Sequence, residues 1–146
     1  MNLFPVLLVA HIGLAIALLL PSVVLPFILR GGREPGGLAR ALLAVQGTGT
    51  LLIGLGLAIT GAAMLALLGP TLLGQPWLLV ALSLYAINLL VAAFISRPNL
   101  RRLIGIAASD GANWRRRARQ QRYVAYGMAA VIGAIGFLMS TKPQLW

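Results

Sequence analysis

Between Leu3 and Leu29 the chain reads LFPVLLVAHIGLAIALLLPSVVLPFIL, with no Asp, Glu, Lys or Arg. A helix of about 20 apolar residues crosses a bilayer core of about 30 Å, so this stretch is long enough to span with some tilt. Three more apolar stretches follow, at about 41–68, 77–95 and 121–140. Of the 146 residues 60% are hydrophobic and only 10% are charged, against about 25% charged in a soluble domain. A water-soluble globule of this size has too much surface to hide so many apolar side chains. Lipid removes that conflict. The expected fold is all-α: a single transmembrane domain over 1–146, built as a four-helix antiparallel bundle. No Lys or Arg precedes the first apolar run, and Ala15-Ile16-Ala17 lies inside it. The first segment is therefore expected to be retained as a span rather than cleaved as a signal peptide.

Within the first span, Pro21 cannot donate to the Ala17 carbonyl, which predicts a kink. Ser22 or a neighbouring helix is expected to satisfy the freed group. The loop RGGREPGG at 30–37 is dense in Gly and Pro, the composition of a turn. In the second span, Gly47, Gly54 and Gly61 recur every seven residues, as do Gly49, Gly56 and Ala63. Thr50, Gly54, Ala58, Ala62 and Ala66 form a further row at four-residue steps. In lipid, close backbone approach is a main source of helix association. This span is expected to be the packing centre, with Ala125, Ala129 and Gly133 of the fourth span continuing the theme. The alternative use of a small face is room for a flat cofactor.

Trp77 opens the third span where an interfacial aromatic is expected. Asn88, near its middle, is expected to turn inward, because an amide facing lipid is costly. Arg97-Pro98 reads as the end of that helix. Asn99 to Ser109 follows, with Leu100, Leu103, Ile104 and Ala107 at helical spacing beside Arg101 and Arg102. This predicts a short amphipathic helix in the third loop, of the kind that lies at headgroups. Asp110 to Asn113 reads as a turn or cap. Arg115, Arg116, Arg117, Arg119 and Arg122 then form a charged extension of the fourth helix, a contact for anionic lipid headgroups or for acidic partner subunits.

The net charge of +10 comes from twelve basic residues against two acidic ones. All but Lys142 are arginines in the first and third loops or at the adjoining helix ends. The positive-inside rule accounts for this without nucleic acid, which is not an expected partner, and puts both termini on the non-cytoplasmic side. The expected location is a bacterial inner membrane.

Candidates for chemistry are few. Cysteine is absent, which excludes thiolate sites and disulfides. The acids are only Glu34 and Asp110, both in loops, which excludes a Ser-His-Asp set and argues against a carboxylate-coupled transporter. His11 is the only histidine. A neutral imidazole in a span either hydrogen-bonds a neighbouring helix or ligates haem or another porphyrin-type pigment. With one histidine per chain, the opposite axial position would fall to a second copy, to Met64 or Met128, or to water.

His11 followed by Gly13, the element Leu57-Ala-Ile-Thr-Gly61, Trp77 and the ending Lys142-Pro143 together resemble a broad bacterial family of predicted four-span membrane proteins of unknown function. That family is distantly similar to the copper-resistance D proteins and to HemJ, the membrane protoporphyrinogen oxidase. The resemblance implies haem binding at His11. It does not carry over the enzyme activity: Leu18, Leu19 and Leu20 stand where Trp and Gly usually follow that histidine, and the functional lysine has no counterpart. Two functions are thus expected. The first is a non-enzymatic small subunit that packs with other membrane subunits or with copies of itself. The second is a haem-binding redox protein using His11 as axial ligand.

Overall fold

The computed structural model describes residues 3–30, 37–105 and 111–142. Glu34, Arg33, Asp110 and the segment 106–109 lie outside them. Four helices are long and apolar enough to cross a membrane: Leu3–Ile28, Arg40–Leu68, Pro76–Ile104 and Gly111–Thr141. The first is α1 (Leu3–Leu29), the last α6 (Gly111–Thr141). The second joins α2 (Gly37–Ala44) to α3 (Thr50–Leu68) through a π turn, Val45–Gly49. The third joins α4 (Pro76–Val91) to α5 (Arg97–Ile104) through another, Ala92–Ser96.

α1 shows why such a helix suits a bilayer. Val9, Ile12, Ile16, Leu20, Val23 and Phe27 are exposed and form an outward row of large apolar side chains. His11, Leu14, Leu18, Ser22 and Leu25 recur at three- and four-residue steps on the other face, half-buried at first and then fully buried. That spacing keeps them on one side of the helix. Pro21 and Pro26 lie inside the helix, yet it runs unbroken to Leu29. The Ser22 hydroxyl donates to the Leu18 carbonyl at 3.2 Å, one residue beyond the carbonyl that Pro21 leaves without its donor.

α1 packs between α3 and α6, and α4 packs on α6. Leu14 lies against Gly56, and His11 against Gly61, so α1 and α3 are antiparallel. Gly47 meets Leu100, while Gly54 meets Leu89 and Tyr85, so the second and third spans are antiparallel as well. The small residues had pointed to the second span as the packing centre; the most extensive packing instead falls to α1, against α3 and α6, and to α6, against α1 and α4. The row of four-residue steps explains the difference. Thr50 and Gly54 are buried, but Ala58, Ala62 and Ala66 are exposed. Four residues exceed one turn of 3.6, so the row walks around α3 and out toward lipid. The heptad row drifts less, and Gly54 and Gly61 stay inward.

Arg97-Pro98 does not end the third helix. A proline has no N–H for the carbonyl four residues back, and the π turn at Ala92–Ser96 comes just before it, the kind of local adjustment by which membrane helices absorb a proline. The short amphipathic helix is present as α5. Its apolar side points into the bundle rather than along the headgroups: Leu100 and Leu103 join Leu25, Leu43 and Ala118 in one buried cluster, flanked by Leu42 and Trp114. At the other end of the molecule, Gly69 stops α3. It has φ +97° and its N–H bonds the Leu65 carbonyl at 3.0 Å, a conformation that glycine adopts without strain.

Candidate functional site

Two sets of polar side chains lie inside the bundle. The first surrounds His11. Its Nδ1 is 2.8 Å from Thr60 Oγ1. The Thr60 hydroxyl has one hydrogen, and the carbonyls of Gly56 and Leu57 accept it at 2.9 and 3.1 Å. A hydroxyl that donates to its own helix offers a lone pair outward, which suits the imidazole tautomer with its proton on Nδ1 and its lone pair on Nε2. A Cβ at Gly61 would come within 3.4 Å of His11 Cε1, so the small residue lets the ring approach α3 closely. His11 turns into the bundle and onto the small face of the second span, where the cost of facing it to lipid puts it. The two short motifs behind the family resemblance, His11 with Gly13 and Leu57-Ala-Ile-Thr-Gly61, therefore meet in space. Met64 lies one turn beyond Thr60 and is half-buried; Met128, on α6, is buried.

The second set lies toward the arginine-rich end. Gln121 of α6 is fully buried. Its Nε2 donates to Ser96 Oγ at 2.9 Å, and its Oε1 accepts from Asn99 Nδ2 at 3.0 Å. One side chain thereby ties α6 to both sides of the junction between the second π turn and α5. Gln46 of the first π turn is buried too. Leu25, Leu43, Leu100 and Ala118 share a cluster, and within about one turn of it along each helix stand Ser22, Gln46, Ser96 and Gln121, so each of the four spans contributes a buried polar residue near that apolar plug. Nearer mid-bundle, the Tyr85 hydroxyl donates to the Gly54 carbonyl, and Asn88 is buried.

Sequence reasoning had singled out His11, Ser22 and Asn88, but not Gln46, Ser96 or Gln121. A signal existed for Gln121. Trp114, Ala118, Gln121, Ala125 and Met128 are spaced by four and three residues, and all but Trp114 are fully buried. The arginines around Gln121 obscure this. Arg115, Arg116 and Arg119 are exposed, and Arg117 and Arg122 are half-buried. Arg115 Nε donates to the Gly111 carbonyl at 3.2 Å, and the Arg122 guanidinium lies 5.9 Å from the centre of the Tyr123 ring. The described residues contain no carboxylate side chain to pair with these cations.

The proposed packing residues divide. Gly47 and Gly54 are buried and Gly61 is half-buried. A Cβ at Gly54 would fall 2.8 Å from Leu89 Cδ1, so this glycine sets how closely the second and third spans approach. Ala129 is half-buried, whereas Gly133 is exposed with nothing within 4 Å of a Cβ there. Gly133 follows Ala125 and Ala129 at four-residue steps, and that row turns away from the interface as the row on α3 does. No group of three or more metal-ligating His, Cys, Asp or Glu side chains is found among the described residues.

Outward rows of large apolar side chains, inward polar contacts between helices and four spans define a multi-pass helical-bundle membrane protein. The chain belongs to the family described as predicted integral membrane protein (DUF2269), whose model matches residues 5–143. No curated protein and no solved structure matches it.

Proposed function

We propose that the protein is a non-enzymatic small membrane subunit that packs in a larger membrane complex or in an oligomer of itself. The supporting observation is what its inward polar groups do. His11, Tyr85, Ser96, Asn99 and Gln121 are engaged in hydrogen bonds between helices, the use such groups have in bundle assembly. Acidic partner subunits or anionic headgroups have the exposed guanidinium groups of Arg115, Arg116 and Arg119 to contact. Cross-linking in intact membranes tests this reading. One reproducible partner, or a ladder of the chain with itself, is the expected outcome; a monomer throughout would overturn it.

His11 supports a second reading, haem binding. A histidine that ligates iron commonly donates its other ring N–H to a fixed acceptor, and Thr60 is such an acceptor for Nδ1. The donor set fits: an imidazole with Nε2 unprotonated, and thioethers at Met64 and Met128 elsewhere in the bundle. Bound haem would supply one-electron chemistry, while Thr60 and Gly61 would hold the ring that ligates it. The absorption spectrum of the purified protein separates the two readings. A Soret band lost in His11→Ala favours the second, and a colourless, stable protein favours the first.

For sidedness, the basic asymmetry supports both termini outside the cytoplasm of a bacterial inner membrane. Single cysteines placed at Gly36 and Gln75 should label from opposite faces, with Gly36 reached from the cytoplasm. Labelling of both from one face would refute the four-span topology.

A further inference from the structure

Among the buried polar residues beside the apolar plug, Gln46 differs from its neighbours. It is 2% exposed, and neither its Nε2 nor its Oε1 has a hydrogen-bond partner. A buried amide in that condition has lost its hydration without compensation, at a cost native structures rarely leave standing. One more side-chain atom shares its predicament: Arg97, next to Ser96, has a buried Nε with no partner. Gln46 also stands in a π turn, a backbone form that occurs often at functional sites.

We propose that Gln46 is the centre of a binding site for a neutral hydroxyl group. The amide sets the chemistry. Its Oε1 requires a donor and its Nε2 an acceptor. A phosphate or carboxylate oxygen offers Oε1 nothing, and a cation offers Nε2 nothing. An O–H group supplies both. Two sources carry that group: internal water and the glycerol hydroxyls of a phosphatidylglycerol headgroup.

The test uses the full chain in nanodiscs, with the glutamine side-chain amides isotopically labelled. In phosphatidylcholine discs, magnetisation transfer from water to the Gln46 amide protons, absent in Gln46→Met, identifies water. After transfer to phosphatidylglycerol discs, one lipid retained through native mass spectrometry by the wild type and lost in Gln46→Met identifies the lipid. Either signature establishes a hydroxyl ligand, and the absence of both overturns the proposal. Stability gives an independent sign. With a ligand bound, Gln46→Met lowers the thermal midpoint by several degrees; around a dry amide the same change raises it, because removing an unsatisfied polar group is stabilising. If the variant fails to assemble, the wild-type spectra still decide the question.

Discussion

The two ends of the bundle are built differently. Toward the arginine-rich end, Leu25, Leu43, Leu100 and Leu103 are at most 1% exposed, and beside them Gln121 bonds both Ser96 and Asn99. Toward the end that carries both termini, α1 has no fully buried residue before Leu18, α3 none after Leu57 and α6 none after Met128. There the second span is joined to its neighbours by single bridges such as His11 to Thr60 and, nearer the middle, Tyr85 to Gly54. Without water to drive burial, helices associate through close packing and hydrogen bonds. One end of this molecule uses both in depth. The other uses a few contacts and leaves more inward surface half-covered, where a partner or cofactor has least to displace.

Substitutions that remove packing at each end should separate the two most clearly. Leu100→Ala deletes a fully buried side chain and should cost about 3 kcal/mol through the cavity it leaves. Leu14→Ala, half-buried beside Gly56, should cost about 1 kcal/mol. Reversible unfolding in mixed micelles measures both, and equal losses would erase the contrast. Next in size is Gln121→Leu. It leaves Ser96 and Asn99 without their partner, for a loss of about 2 kcal/mol. Repair by the double change Gln121→Leu with Asn99→Leu would show that the unpaired amide carried the cost.

Glycines sharpen the comparison further. Gly54→Ala forces Leu89 to rotate away and should cost about 1 kcal/mol, and Gly54→Leu should disrupt assembly outright while Leu52→Phe, on the lipid face, does not. Gly133→Ala meets no atom within 4 Å and should be neutral or gain up to about 1 kcal/mol from helix propensity. A loss there as large as at Gly54 would reveal a partner surface on α6. The smallest effect is Thr60→Val, which removes the acceptor for His11 Nδ1. Hydrogen bonds between membrane helices average about 0.6 kcal/mol, so stability should fall by about that much. The haem reading adds a second expectation: any Soret band should shift or broaden in Thr60→Val while persisting. An unchanged band would detach Thr60 from the ligand.

Much of this was legible in the chain itself, and the parts that were not share a cause. Apolar runs such as Leu3–Leu29 announce spans because lipid demands length and the absence of charge. His11 could be aimed inward on cost alone. Its acceptor could not be named, since Thr60 is one of several small polar residues and only the register between α1 and α3 selects it. Gln46 lies near the start of the second span among small residues, and Gln121 sits inside RRRARQQRY, so local composition marks neither as an inward contact. Arg97-Pro98 looked like a stop because a proline's penalty is a local quantity, whereas its relief by the preceding turn depends on what α5 gains by burying Leu100 and Leu103.

Each π turn holds one residue more than an α-helical course would need, and the wider turn absorbs it so that both halves of the span keep their phase. Deleting Val45 would let the helix close into regular α form with Leu43 still in the plug, and would cost only the local geometry that presents Gln46. A deletion within the regular stretch Thr50–Leu68 would instead swing one half of the span by about 100°. The second and third spans therefore each have one internal place, Val45–Gly49 and Ala92–Ser96, where the loss of a residue is absorbed. Variants of this chain should differ in length at these turns, at Pro70–Gln75 or near the termini, not elsewhere in the two helices.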